Sequence, residues 1–461
     1  MYTAAIVLLG IAPPLLMFLF GSMGERGRLH PFTVLGWALV FGYTLKSIYL
    51  AFAVNLNLAF RTESFSHDIL TLGQFAICLG LFSFIVGFLI FAQQTKKPSR
   101  QAAIRYQVNS RHEFLYHLVF LISVVLMLVY FYQQDFLEQI TSLQFRAQKW
   151  YIDDEGSRHA LGFLLLGSDF ITVYFLYYIA MAREITWKNR YVIAIIFISI
   201  CFLFASRRNG ILVIIVTFLM VVGVRGVTVN IMDNLKRILL IGCVLLVVAF
   251  VGLVREGGRT GVSASDLSIG SAIAVTAEQI FEGAYFLDPA KTAAIIDQTE
   301  KRNLYLYGQS LLSVVYAPIP RVLWPDKPDI RIGPYVAQGI FYIPFKTGIP
   351  PGAIGELFLN FGWIGIVAGM FLLGLITSKL YNYYLSRSDE RLARPLYALV
   401  LFAIIIFFTG DFAASFLKII RYLAAGFICM LFWKSVLARE GRYRLGGRRE
   451  GRRSKAVSPR H

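Results

Sequence analysis

The sequence predicts an all-α polytopic membrane protein of about eleven transmembrane helices, with one long loop domain on the outer side of the bilayer. Three observations carry that expectation. Of 461 residues, 57% are hydrophobic and 16% charged, with a mean hydropathy of +0.62, whereas a soluble globular chain carries roughly 25% charge. The apolar residues gather in blocks of about 15–24, long enough to cross a hydrocarbon core roughly 30 Å thick. Lysine and arginine concentrate in alternate connections between the blocks, as they do between spanning helices.

Residues 1–254 hold eight spans: Ala4–Phe20, Phe32–Val54, Leu70–Phe91, Phe114–Tyr132, Ala160–Ala182, Tyr191–Ala205, Ile211–Val224 and Ile238–Val254. The stretch from Tyr191 to Val224 would be about 50 Å long as one helix, too long for an ordinary crossing, so it reads as two short spans. Residues 255–352 are too polar to span and too long for a simple connection. They include eight of the fifteen prolines, between Pro318 and Pro351, and read as an ordered domain lying on the bundle. Within that loop Ile273, Ala277, Ile280, Phe281 and Ala284 share one helical face, suited either to the membrane surface or to packing on the spans. Residues 353–433 hold the last three spans, Ala353–Ile376, Ala393–Phe408 and Phe412–Trp433, and 434–461 form a basic tail.

The formal net charge is +18. Ten lysines and arginines lie in the tail, and the short connections on its side, counting Arg394 at the edge of the tenth span, hold seventeen against six on the other. The tail and those connections are therefore expected in the cytoplasm, and the N-terminus outside. Arg26 and Arg28 follow the first apolar block, which resembles a reversed signal anchor rather than a cleaved leader. The tail suits anionic lipid headgroups better than nucleic acid.

Several chemistries have no support. Cys78, Cys201, Cys243 and Cys429 all lie in apolar blocks and form no CxxC pair. The histidines, His112 and His117 among them, form no ligand cluster, and no Walker loop, HExxH or GxSxG occurs. No metal or cofactor is expected. No internal repeat suggests an inverted-repeat transporter.

Charge at membrane depth is costly and tends to be functional, which singles out four places. The turn Ser206-Arg207-Arg208-Asn209-Gly210 joins two short spans, and its guanidiniums suit bidentate donation to phosphate or snorkelling to headgroups. The run from Ala317 to Pro328, APIPRVLWPDKP, holds Arg321 and Lys327 in a proline-stiffened frame, with Trp324 as a possible interface anchor. In the run from Pro350 to Gly362, PPGAIGELFLNFG, Glu356 and Asn360 share a helical face. Glu356 suits either a general base or a helix-start carboxylate, while Gly362, Gly365 and Gly369 suit close helix packing. Around the last span stand Asp411, Lys418 and Arg421, which suit pairing with one another or with another carboxylate. Lys46, Arg255 and Arg259 raise the same question more weakly.

At these residues the chain resembles the Wzy-type oligosaccharide repeat-unit polymerases, which make O-antigen and capsule. The likeness lies in SRRNG opening an apolar span, IPRVLWPDKP, PPGAIGELFLNFGWIG, and TGDF before the last span, and covers mostly residues 200–420. The resemblance implies a GT-C-like glycosyltransferase of the bacterial inner membrane, related to O-antigen ligases and using neither nucleotide sugar nor metal. The long loop would then be periplasmic. Its substrates would be two undecaprenyl-diphosphate-linked oligosaccharides, and a polysaccharide chain-length regulator is a candidate partner. Arg207, Arg208 and Arg321 would stabilise the departing diphosphate, with Glu356 deprotonating the acceptor. Lys327, Arg255, Trp324, Asn360, Asp411, Lys418 and Arg421 would bind diphosphate or glycan. The alternatives are an O-antigen ligase, disfavoured by the lack of histidine between Arg255 and Gly352, and a lipid-linked oligosaccharide flippase.

Overall fold

A computed structural model describes residues 2–22, 30–52, 67–92, 287–319, 323–343 apart from 325, 329 and 330, 348–386 and 393–431, with isolated positions between 118 and 174. Among the described residues every regular element is helical. The elements are α1 (Tyr2–Ser22), α2 (Pro31–Phe52), α3 (His67–Phe91), α4 (Pro289–Arg302), α5 (Gln309–Tyr316), α6 (Gly333–Tyr335), α7 (Gly352–Ser386), α8 (Ala393–Thr409) and α9 (Phe412–Leu431). Five of them, α1, α2, α3, α7 and α9, are long and apolar enough to cross a membrane, and α8 is a shorter apolar helix. They fall where the first three and last three spans are expected. The expected spans six to eight lie outside the described residues, as do Cys201, Cys243 and the 273–284 face.

α1 carries Pro13 and Pro14 in its interior. Proline has no N–H to donate to the residue four back, so the carbonyls of Leu9 and Gly10 lose their helical partners. α2 supplies replacements: the Tyr43 hydroxyl donates to Leu9 O at 3.2 Å and Thr44 Oγ1 to Gly10 O at 2.8 Å. Both donors sit on a π-turn at Val40–Thr44. One turn on, Ser47 Oγ accepts from Gln74 Nε2 of α3 at 2.9 Å, and Gln74 also donates to Ile6 O. A polar seam thus fixes the register of the first three helices inside apolar surroundings.

The centre of the bundle is the crossing of α3 and α7. A methyl group at Gly87 would overlap the carbonyl oxygen of Phe371, and one at Gly374 that of Phe84. The two backbones approach through these glycines, and Phe84, Phe88, Ile354, Phe358, Ile366 and Met370 close the core around them.

α7 is not one helix. Phe361 (φ −141°, ψ 18°) and Gly362 (φ 60°, ψ −147°) are non-helical, and the chain doubles back there. Leu357 lies against both Gly365 and Gly369, contacts that a straight helix cannot make at that sequence spacing. The single helix expected from Ala353 to Ile376 is therefore a buried short helix followed by the long membrane helix. The physical reason is Gly362, whose backbone angles only glycine adopts without strain. Gly365 and Gly369 serve close packing, as their spacing suggests.

The long loop supplies α4, α5 and α6. α4 begins with Asp288, whose Oδ1 accepts from the N–H groups of Ala290 and Lys291, and Pro289 occupies the first helical position, where its missing N–H costs nothing. It ends at Asn303 in the left-handed conformation, with Lys301 and Arg302 in the last turn favouring the negative end of the helix dipole. Most of α4 is buried, and at Gly73 α3 leaves room for the Pro289 carbonyl. α6 runs into a π-turn at Val336–Ile340 and forms a second small core with Ile295, Ile349 and Leu359.

Candidate functional site

Two polar clusters lie where the loop helices meet the spans. The first joins α2 to the start of α4. Lys46 Nζ and Asp288 Oδ2 pair at 2.8 Å, with side chains only 5% and 2% exposed. The same carboxylate caps α4 through its other oxygen, so one buried charge fixes a spanning helix and a loop helix together. One turn on, Lys291 Nζ donates to Pro350 O at 2.9 Å, tying α4 to the entrance of α7. Burial lowers the Lys291 ammonium to about 8, with Asp288 opposing and Lys46 adding to the effect.

The second cluster centres on Glu356, 1% exposed. Its Oε1 accepts from Ser310 Oγ of α5 at 2.7 Å and its Oε2 from the Phe412 N–H at 2.8 Å. Phe412 opens α9, whose N-terminus is also capped by Asp411 through the Ala414 N–H at 2.7 Å. Two carboxylates thus sit at the positive end of α9, where the helix dipole favours them. Asn360, on the Glu356 face, donates to Ser310 Oγ and to Glu356 O, both at 2.7 Å, and accepts from the Gly308 N–H at 2.9 Å. The Leu306 N–H donates to Leu359 O at 2.7 Å. These bonds hold the Leu306–Gly308 segment so firmly that Tyr307, a non-glycine residue, adopts φ +46°, and the residue is 72% exposed. Backbone strain of this kind persists only where the surroundings enforce it.

The other expected site residues fall apart from these clusters. Lys327 is buried, and two of its three donors close the proline-rich turn on Ala317 O at 3.0 Å and Ile319 O at 2.7 Å. Trp324 packs edge-on against Tyr316, with centroids 6.0 Å apart. Arg421 pairs with another carboxylate, Asp169, at 3.0 Å, linking α9 to the region of the expected fifth span. Lys418 lies over the rings of Phe402 and Tyr422, 5.8 and 5.5 Å from their centroids, a cation–π arrangement. Arg207, Arg208, Arg255 and Arg321 lie outside the described residues.

Asp288, Lys291, Ser310, Tyr307 and Asp169 were not singled out from the sequence. Only Asp288 has a local signal, the Asp-Pro pair that marks a capped helix start. Among the described residues no group of three or more histidine, cysteine, aspartate or glutamate side chains is arranged to hold a metal ion.

A bundle of apolar helices, crossed by polar seams and penetrated by a loop helix, defines a multi-pass membrane protein. The chain belongs to the O-antigen polysaccharide polymerase Wzy family, whose family model matches residues 32–440. Among its relatives are O-antigen polymerases of Salmonella typhimurium and Salmonella typhi. Each is 32% identical over 103 residues, which is 22% of this chain and 25% of the relative. The match therefore spans about a quarter of the length of those curated relatives. No solved structure matches the chain.

Proposed function

We propose that the protein polymerises oligosaccharide repeat units carried on undecaprenyl diphosphate at the periplasmic face of the inner membrane. The growing glycan is the donor. A hydroxyl of a second lipid-linked unit attacks its anomeric carbon, the bond to the diphosphate breaks, and the hydroxyl proton is lost to a base. The observation that carries the reading is the family match from residue 32 to 440.

In this reading Arg207, Arg208 and Arg321 meet the negative charge that develops on the departing diphosphate, because guanidiniums donate in pairs to phosphate oxygens. Glu356 receives a positioning role in place of the proton-accepting one its sequence setting suggests. Both its oxygens already accept hydrogen bonds, and it is sealed between α5, α7 and α9. The exposed Tyr307 supplies an aromatic face suited to a sugar ring.

The test is the length distribution of lipid-linked and surface glycan in a strain lacking the protein. Single repeat units reaching the surface, with long chains gone, is the expected result. Long chains stranded on the carrier lipid would instead indicate a ligase, and single units trapped in the cytoplasm a flippase. Unchanged glycan would sink the reading.

A further inference from the structure

We infer that the outward face of α5, together with Ile319, Leu323 and Trp324, is immersed in the membrane interface, on the side from which α7 enters, with phospholipid as its partner. Three observations carry this. First, α5 has two unlike faces. Ser310, Ser313 and Ala317 point inward, the first onto Glu356 and the other two buried. Leu312, Val315 and Ile319, spaced for one helical face, point outward and are 64%, 77% and 38% exposed. Leu323 and Trp324 extend that surface at 77% and 40%.

Second, the patch is almost free of charge. Across the sixteen residues from Gln309 to Trp324, Arg321 is the one charged residue. A contiguous apolar surface facing water is unfavourable and marks an interaction site. Tryptophan beside aliphatic residues, with prolines that need no helical N–H partner, suits the boundary between headgroups and acyl chains.

Third, the patch is continuous with the lipid-facing flank of a membrane helix. A methyl group on Gly308, the residue preceding α5, would meet the Phe361 ring. Phe361 and Ile364, at the start of the long part of α7, are 49% and 79% exposed. The bonds from Ser310 and Gly308 to Glu356 and Asn360 fix α5 at the height where α7 begins its crossing. Lipid covering Phe361 and Ile364 would therefore lie beside the start of α5, from which Leu312 and Val315 face outward. This inference concerns membrane placement and stands apart from the polymerase reading.

The test uses the full chain in nanodiscs of phosphatidylethanolamine and phosphatidylglycerol, without polyprenyl lipid. The four cysteines are replaced by alanine, and a nitroxide is attached at Leu312→Cys or Val315→Cys, with Lys301→Cys, 63% exposed, as the water-facing control. Expected is collision with oxygen several-fold more frequent than with a water-soluble nickel chelate, and the reverse at position 301. Nickel access equal to that at 301 would overturn the inference by showing a water-facing patch. Shielding from both reagents would overturn it in favour of a protein partner, such as a second copy of the chain. If the labelled variants do not fold, the fluorescence difference between the native chain and Trp324→Phe serves instead. The Trp324 component should be quenched about twofold by phospholipid brominated near the headgroup end of its acyl chains, as expected for shallow insertion. No quenching would overturn the inference.

Discussion

Lys46 stands in an apolar helix and meets Asp288, a residue 242 positions away. Removing one member of a buried ion pair leaves an uncompensated charge and costs about 3–5 kcal/mol, whereas removing both is often neutral. Lys46→Met should therefore lower the melting temperature in detergent markedly. Lys46→Met combined with Asp288→Asn should recover most of the loss, because asparagine still caps α4. A double variant as unstable as the single one would show that the pair is not the source. Lys291 makes a pH prediction of definite sign. The folded chain releases that proton near 8, while the ordinary lysine value is 10.5. Between those values the unfolded chain binds more protons, so stability rises with pH. Melting curves should move upward from pH 8 towards 10.5, and Lys291→Met should flatten the rise. Glu356 separates two roles. If it positions α5 and α9, Ser310→Ala and Glu356→Gln should both reduce glycan chain length and protein abundance. If it is the base, Glu356→Gln should abolish polymer at normal abundance while Ser310→Ala is mild.

At the scale of elements, the turn at Phe361–Gly362 is the feature with the clearest cost. A side chain at φ 60°, ψ −147° carries about 1–3 kcal/mol of backbone strain. Gly362→Ala should thus destabilise the protein by that order in a thermal melt. Gly339→Ala, where the nearest atom is the Tyr335 ring at 3.8 Å, should be nearly silent. Equal effects at both would remove the hairpin as the explanation. This turn also shows where the sequence ceases to be informative. The ends of α1, α2, α3, α8 and α9 fall within a few residues of the expected spans, because block length and hydropathy report directly on burial in lipid. The run from Gly352 to Ile376 is apolar apart from Glu356 and Asn360, no change of period marks the reversal, and Gly362 reads like any packing glycine. The likeness of Glu356 and Asn360 was legible from their spacing of four. Their partner Ser310 was not, since its contact with them arises from the loop folding back onto α7. Lys327 and Trp324 were visible as a stiff turn. That Lys327 is spent on the carbonyls of Ala317 and Ile319 follows from burial, which a local sequence pattern does not encode.

For the whole molecule the decisive quantity is the parity of crossings. The candidate cations Arg207, Arg208 and Arg321 serve one reaction only if the turn between Ala205 and Ile211 and the long loop face the same side. That requires Tyr191–Val224 to cross twice. One crossing of those 34 residues would reverse every later element and place the basic tail outside, against the seventeen-to-six asymmetry of the short connections. Fusions to the full chain test this directly. A fluorescent protein that matures only in the cytoplasm should light up when attached after His461, and alkaline phosphatase there should be inactive. A small tag inserted between Arg225 and Lys236 should resist an externally added impermeant reagent, and a cysteine at Asn209 should react with it. A dark fluorescent fusion with active phosphatase would mean an inverted second half, separating the 207–208 arginines from the loop. Reaction at 209 together with a cytoplasmic tail would bring these cations to the face where α4, α5 and α6 cover the bundle, the arrangement that diphosphate departure at that face needs.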